Sequence, residues 1–342
     1  MSEIRYDRIH NQYVLIAPER LRRPDTLKQN RCNTQNKEQR CPFCEGNESL
    51  TPPEISAIRN TPANEKGWQT RVVPNLYKAL RVELEQGSKN EGGFESAAGV
   101  GAHEVLIDSP CHDCGIEALG VAGLENWLQT IFMRAEDLQK DRRLVYLSIF
   151  KNHGEGAGAT QEHPHTQILA LPLMPKNELD FLKRNMEYYH KHGRGELQDA
   201  LENELLAQKR LVGQSGVFVA FCPFASAYPF EVMIVPRVNM SSILECSRDD
   251  LTHLALLFEN VFLKMKSQLG EFDYNLSFSM SPLNENFENE EYMPRIGENY
   301  RFMIRILPRL YRLGGFEVST GMAINPVSPE QSASLLKAGD VR

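Results

Sequence analysis

His163-Pro164-His165-Thr166-Gln167, running directly into Ile168-Leu169-Ala170-Leu171-Pro172-Leu173, is the stretch that decides how this chain is read. The apolar run reads as a strand, and side chains at i and i+2 of a strand share a face. His163, His165 and Gln167 are therefore expected in a row on one side, with Pro164 turned away. Pro164 has no N–H for a ladder and marks an edge or a strand start. Just upstream, Gly154-Glu155-Gly156-Ala157-Gly158-Ala159-Thr160 is a loop of small residues. Such a loop brings backbone amides close to a phosphate. Imidazoles in a row beside it suit attack at phosphorus.

Further out, Tyr146 to Asn152 reads as a strand, Gly123 to Asp141 as an amphipathic helix and His103 to Asp108 as another strand. Asn177 to His192 reads as a helix. The opening segment, Arg5 to Pro18, reads as two short strands around Asn11-Gln12, and residues 84 to 101 as an exposed connection. The second half repeats the order. Phe230-Glu231-Val232-Met233-Ile234 echoes His103-Glu104-Val105-Leu106-Ile107 at an offset of 127, and Tyr274-Asn275-Leu276-Ser277-Phe278 echoes Tyr146-Leu147-Ser148-Ile149-Phe150 at 128. A helix, Arg248 to Leu269, lies between, and Arg301 to Pro308 takes the place of His165 to Pro172. Near-constant offsets point to a duplicated α+β unit. The division is expected at 1–192 and 193–342. Seven residues before Pro308 stands Arg301, where the first copy has His165, so only the first half is expected to carry the chemistry.

The bulk numbers narrow the class. The 342 residues carry 38 Lys and Arg against 45 Asp and Glu, a net charge of −7. An acidic balance argues against a nucleic-acid-binding protein, while local arginines still suffice for a nucleotide. No apolar run is long enough to span a bilayer, and MSEIRYDRIH lacks the apolar core of a signal peptide, so the chain reads as cytoplasmic. Seven cysteines without an export signal favour metal binding or free thiols over disulfides. Cys41-Pro42-Phe43-Cys44 is a metal knuckle, and a structural zinc needs two more N or S ligands. His112, His163, Cys111 and Cys114 are the candidates. Cys32, Cys222 and Cys246 read as packing residues.

His165 suits a nucleophile, because neutral imidazole attacks phosphorus and a covalent nucleotidyl-histidine splits one displacement into two easier ones. Gln167, on the same face, is placed to donate to a phosphoryl oxygen. Thr160 and the loop amides are placed to stabilise its charge. Arg20, Arg22 and Arg23 follow a strand and precede Pro24; their forks match phosphate, and a plain solvated surface reads equally well.

Taken in order, several motifs resemble the galactose-1-phosphate uridylyltransferase family of the histidine-triad superfamily. They are Tyr13-Val14-Leu15-Ile16-Ala17-Pro18-Glu19-Arg20 with Arg23-Pro24, Cys41-Pro42-Phe43-Cys44, Val72-Val73-Pro74-Asn75-Leu76-Tyr77, Ser109-Pro110-Cys111-His112, Asn152 with its glycines, and His163-Pro164-His165-Thr166-Gln167. The resemblance implies a duplicated histidine-triad-like fold of two antiparallel-sheet halves with helices packed on them. It implies ping-pong uridylyl transfer between UDP-glucose and a hexose 1-phosphate through His165. By the same resemblance Cys41, Cys44, His112 and His163 hold zinc, and Arg20, Arg23, Asn152, Thr160 and Gln167 contact phosphate. Asn75 lies in the nucleoside segment, Phe43 packs on the base, Glu317 contacts the sugar, and the working unit is a homodimer.

The chain departs from the family pattern at several points. A second metal site common in the family lacks its histidines here, and Ser279 stands at another such position, so one zinc per chain is expected. Ala323 replaces a sugar-contacting glutamine. Gly314-Gly315-Phe316-Glu317 and Ile324-Asn325-Pro326 also resemble ADP-glucose phosphorylases, which transfer an adenylyl group to inorganic phosphate. A non-catalytic, zinc-stabilised nucleotide-binding protein is the remaining alternative.

Overall fold

The computed structural model describes residues 1–22, 41–284 and 296–339. Strands β1 (Glu3–Asp7) and β2 (Gln12–Ile16) form a hairpin whose turn holds Asn11 at φ 52°. Then come β3 (Ser56–Arg59), β4 (Trp68–Pro74), β5 (Ser88–Glu91), β6 (Phe94–Ala97) and β7 (Ala102–Ile107). Helix α1 (Gly120–Leu138), β8 (Tyr146–His153), β9 (His165–Leu171), α2 (Lys176–His192) and α3 (Glu196–Ala207) complete the first run. The second run is β10 (Leu211–Ser215), β11 (Phe218–Phe221), β12 (Val232–Pro236), α4 (Arg248–Leu269), β13 (Tyr274–Ser279), α5 (Ile296–Asn299) and β14 (Met303–Pro308). Helix α6 (Gly315–Thr320), β15 (Ala323–Asn325) and α7 (Pro329–Ala338) close the described chain.

Ten strands form one antiparallel sheet in the order β10-β11-β12-β14-β13-β8-β9-β7-β4-β3. The segments β12-β14-β13 and β8-β9-β7 mirror each other about the β13–β8 seam, the arrangement two copies of one β-α-β-β unit produce. The two halves are thus fused edge to edge, α+β in class. A separate sheet joins β1, β2 and β15, with β15 parallel to β2.

Alternation along β9 sorts its two faces. Thr166, Ile168 and Ala170 are fully buried, whereas Gln167, Leu169 and Leu171 are half-buried. The buried face meets α1 and α4, where Trp127, Leu128 and Ile131 pack with Leu254, Phe258 and Phe262. Each such side chain contributes roughly 1.5–3 kcal/mol by leaving water. Helix α4 starts in a capping box between Ser247 and Asp250, which satisfies otherwise orphaned N–H groups. On the opposite face α2 and α3 cover the second half, through Phe181, Leu182, Leu197 and Leu201. In the first half that face packs Val73, Val105 and Ile107 with Trp68 beneath Phe43, and it carries His165 and Gln167.

Three expectations need adjusting. His163 is not in the strand: β9 begins at His165, and Pro164 precedes it as a strand start. The 84–101 connection is exposed, as read, but it contains the β5–β6 hairpin. The last strand of the second copy starts at Met303, not Arg301; Arg301 is buried and donates to the Pro236 carbonyl. Among the described residues no helix is long and apolar enough to cross a membrane.

Candidate active site and metal centre

Three segments distant in sequence converge at the start of β9. The turn at Cys41–Cys44, the stretch after β7 and His163 bring Cys41, Cys44, His112 and His163 together, their ligand atoms all within 4.8 Å of one another. Cys44 Sγ lies 3.2 Å from His112 Nδ1 and 3.6 Å from His163 Nδ1, and Cys41 Sγ lies 3.8 Å from His163 Nδ1. A tetrahedral zinc with ordinary Zn–S and Zn–N bonds sets such S···N edges at about 3.5 Å. His163 Nε2 sits 2.9 Å from the Ser109 carbonyl, which fixes the proton there and leaves Nδ1 free to ligate. Burial lowers the His163 pKa and so favours the neutral ring a metal needs. Burial first, and then the adjoining Cys41 thiol, push Cys44 up to about 11. Donor types, spacing and tautomer fit a metal ion.

The rest of the Cys111-His112-Asp113-Cys114 cluster resolves differently. Cys111 and Cys114 form a disulfide, so neither competes for the metal, and the expectation of metal-bound or free thiols fails for this pair. The two lie on one short loop, three positions apart and within bonding reach of each other. Cys222 and Cys246 are buried free thiols, as expected of packing residues. Cys32 lies outside the described residues.

Beside this cluster lies a cavity of about 310 Å³ lined by Phe43, Asn75, Thr160, His165 and Gln167, among others. His165 is 7% exposed, and its Nδ1 lies 2.9 Å from the His163 carbonyl. That contact makes Nδ1 the donor and leaves Nε2 with the lone pair. Burial lowers the pKa of His165 and so favours the unprotonated ring. Phe43 packs over it, ring centroids 5.5 Å apart. Asn152 lies on β8 two residues beyond its last pair with β9, Phe150–Gln167, and its Oδ1 accepts from Asn275 of the second half at 2.9 Å.

One residue escaped the sequence reading. His103 was taken only as the start of a strand. Its Nδ1 accepts the Ala79 N–H at 3.1 Å, so Nε2 carries the proton; Nε2 lies 3.0 Å from both Gln167 Oε1 and Asn75 Nδ2, and of the two only the Gln167 oxygen can accept from it. The Gln167 amide nitrogen is thereby left as the end available to a ligand. The 103, 105, 107 alternation was legible, but that β7 pairs with β9 and so shares the Gln167 face was not.

Other expected residues lie apart. Arg20, in the turn Pro18–Arg22, does not line the cavity. Arg23 lies outside the described residues. Glu317 sits in the first turn of α6, accepts the Gly314 N–H at 2.9 Å and does not line the cavity either. Ala323 is buried against Val14 and Ile16. Ser279, Met303 and Arg305 line a different cavity of about 340 Å³ with Glu178, and Arg305 pairs with Glu231 at 2.7 Å.

Comparison with known proteins gives the chain its family. Residues 1–175 match the N-terminal domain of galactose-1-phosphate uridyl transferase, and residues 181–337 match its C-terminal domain. An ADP-glucose phosphorylase of Arabidopsis thaliana is 31% identical over 98% of this chain and 92% of its own length. A galactose-1-phosphate uridylyltransferase of Thermotoga maritima is 26% identical over 100% of this chain and 99% of its own. A crystal structure of an Arabidopsis thaliana ADP-glucose phosphorylase with bound ADP-glucose superposes with a TM-score of 0.82 at 28% identity, covering all of both chains. Both family domains are present in order along nearly the whole chain, which therefore belongs to the galactose-1-phosphate uridylyltransferase family and is a nucleotidyltransferase.

Proposed function

We propose that His165 carries the nucleotidyl group, taken from a nucleoside diphosphate hexose and passed to a phosphate-bearing acceptor. The observation that carries this reading is the Nδ1 contact to the His163 carbonyl, which leaves Nε2 as the nucleophilic atom of a residue lining the cavity. In the first step Nε2 bonds to the α-phosphorus, the bond from that phosphorus to the bridging oxygen breaks, and a sugar 1-phosphate leaves. In the second, an acceptor phosphate oxygen attacks the same phosphorus and the P–N bond breaks, restoring the imidazole. Gln167, oriented by His103, donates to a phosphoryl oxygen, with Thr160 and Asn152 as further contacts. Asn75 and Phe43 hold the nucleoside. Arg20, Arg23 and Glu317 are proposed phosphate and sugar contacts on the family resemblance alone.

The first reading of specificity is uridylyl transfer between UDP-glucose and a hexose 1-phosphate. A second has its own support: the 31% identity to an ADP-glucose phosphorylase and the likeness to a structure holding ADP-glucose favour adenylyl transfer to phosphate. Incubation with UDP-glucose or ADP-glucose, without acceptor, followed by intact-mass measurement decides between them. A uridylyl adduct supports the first and an adenylyl adduct the second. No adduct with either sugar nucleotide refutes the covalent reading.

The metal at Cys41, Cys44, His112 and His163 is read as one zinc per chain. Bound there it supplies a closed structural tether between the Cys41–Cys44 turn and the start of β9. The family resemblance further supports a cytoplasmic homodimer and a division at 1–192 and 193–342, with the chemistry in the first half.

A further inference from the structure

Lys151 and Asp108 are charged groups buried behind the strand that carries His165, their side chains 1% and 2% exposed. Lys151 shares the helix-covered face of β8 with Leu147 and Ile149, and Asp108 follows the end of β7. Lys151 Nζ donates to Asp108 Oδ2 at 2.5 Å and to the His165 carbonyl at 3.2 Å. Asp108 Oδ1 accepts from the Thr166 hydroxyl at 2.8 Å, and that hydroxyl oxygen accepts from the Trp127 indole N–H at 2.9 Å. The Asp108 backbone N–H reaches the Pro164 carbonyl at 3.2 Å. Beyond the pair itself, every one of these bonds from Lys151 and Asp108 ends on Pro164, His165 or Thr166.

An ion pair in an apolar layer is a poor device for stability. Desolvation offsets its attraction, and apolar residues of similar volume often hold a fold as well or better. What the pair does supply is directional: a bond to the His165 carbonyl and one to the Thr166 hydroxyl, next to the Asp108 main-chain N–H on the Pro164 carbonyl. We propose that Lys151 and Asp108 are positioning residues for the transfer: from behind the sheet they fix the main chain at 164–166, and so the depth and angle at which His165 Nε2 meets phosphorus. The inference rests on His165 as nucleophile and deepens that reading. Neither residue touches substrate, since both lie on the far face of the sheet from the cavity.

A single substitution would strand one buried charge, so the probe is the double variant Lys151→Met/Asp108→Leu. The measurement is the rate of adduct formation at saturating UDP-glucose or ADP-glucose, whichever labels the unaltered protein. The half-saturating concentration, bound zinc and thermal midpoint are measured alongside it. The expected result is a folded, fully metallated protein with unchanged half-saturation and a rate lower by about 100-fold, the scale of a 1 Å misplacement. The neutral pair Lys151→Gln/Asp108→Asn keeps hydrogen-bonding groups in place and should recover at least about tenfold of that loss. A wild-type rate in the double variant overturns the proposal, as does a loss seen only in zinc content or half-saturation. Should the double variant not fold, Thr166→Val decides: it leaves both charges and the shape, and should slow adduct formation roughly tenfold. No change there would equally overturn it. An unaltered protein that never forms the adduct refutes the nucleophile itself, a result distinct from any seen in the variants.

Discussion

His163 and His165 are two residues apart, and we assign them different work because their rings face different neighbours. His163 Nδ1 faces two cysteine sulfurs, while the His165 Nδ1 is spent on the His163 carbonyl and its Nε2 stays free. His165→Ala should therefore abolish the nucleotidyl adduct while leaving bound metal and thermal midpoint near those of the unaltered protein. His163→Ala should lower metal content and stability, since structural zinc contributes folding energy directly, and chelation of the unaltered protein should mimic it. Mass spectrometry and calorimetry on both variants check this; exchanged phenotypes would refute the assignment. The side-chain types were legible here, but the His103–Gln167 contact was not, because its partners lie 64 residues apart.

At the scale of elements, the loop between β8 and β9 does not offer the backbone donors expected of it: the Ala157, Gly158 and Ala159 N–H groups donate to the Gly154 and Glu155 carbonyls, and what the loop brings to the cavity is Thr160. Gly154 has φ 82°, and a Cβ there would meet Asp273 Oδ1 at 1.9 Å. Asp273 in turn accepts the Gly156 N–H at 2.7 Å, so the turn is held by a carboxylate of the second half. Gly154→Ala should displace Asp273 and force a strained backbone, a destabilisation of about 1–3 kcal/mol, and slow adduct formation as well. Urea unfolding with single-turnover kinetics tests it; an unaffected rate would mean that the turn does not position Thr160 for the transfer. The periodic elements were legible nearly to the residue: β9 as far as Leu171, and α4 at both ends. The irregular ones were not. His163 was read into the strand because alternation alone does not reveal where a ladder begins.

At the scale of the whole molecule, the ten-stranded sheet joins two halves that meet at β13 and β8. At that seam His153 of the first half stacks on Tyr274 of the second, ring centroids 4.8 Å apart. Burial, then the nearby Lys151 charge, lower the His153 pKa, and Asp273, Glu117 and Glu271 oppose them. In the unfolded chain this imidazole protonates near its ordinary value of about 6.5. Below that value the unfolded state binds more protons than the folded one, so stability is lost as pH falls toward the depressed folded value. The slope is at most ~1.4 kcal/mol per pH unit for one group. Denaturant unfolding at pH 7.5 and 5.5 should show a shallower loss in His153→Phe, which keeps the stack; an unchanged difference between the two pH values would remove His153 from the seam's energetics.

From the sequence by itself came the strand-forming runs, the amphipathic helices, the duplicated order and the types of residue able to ligate metal or attack phosphorus. All of these depend on neighbours a few positions away or on chemistry that side chains carry anywhere. Only the tertiary structure decided that Cys111 bonds to Cys114, that His103 turns the Gln167 amide, and that a buried ion pair backs the His165 strand. Those facts depend on which distant strands lie side by side, and register between strands is set by the packing of the entire sheet rather than by any local pattern.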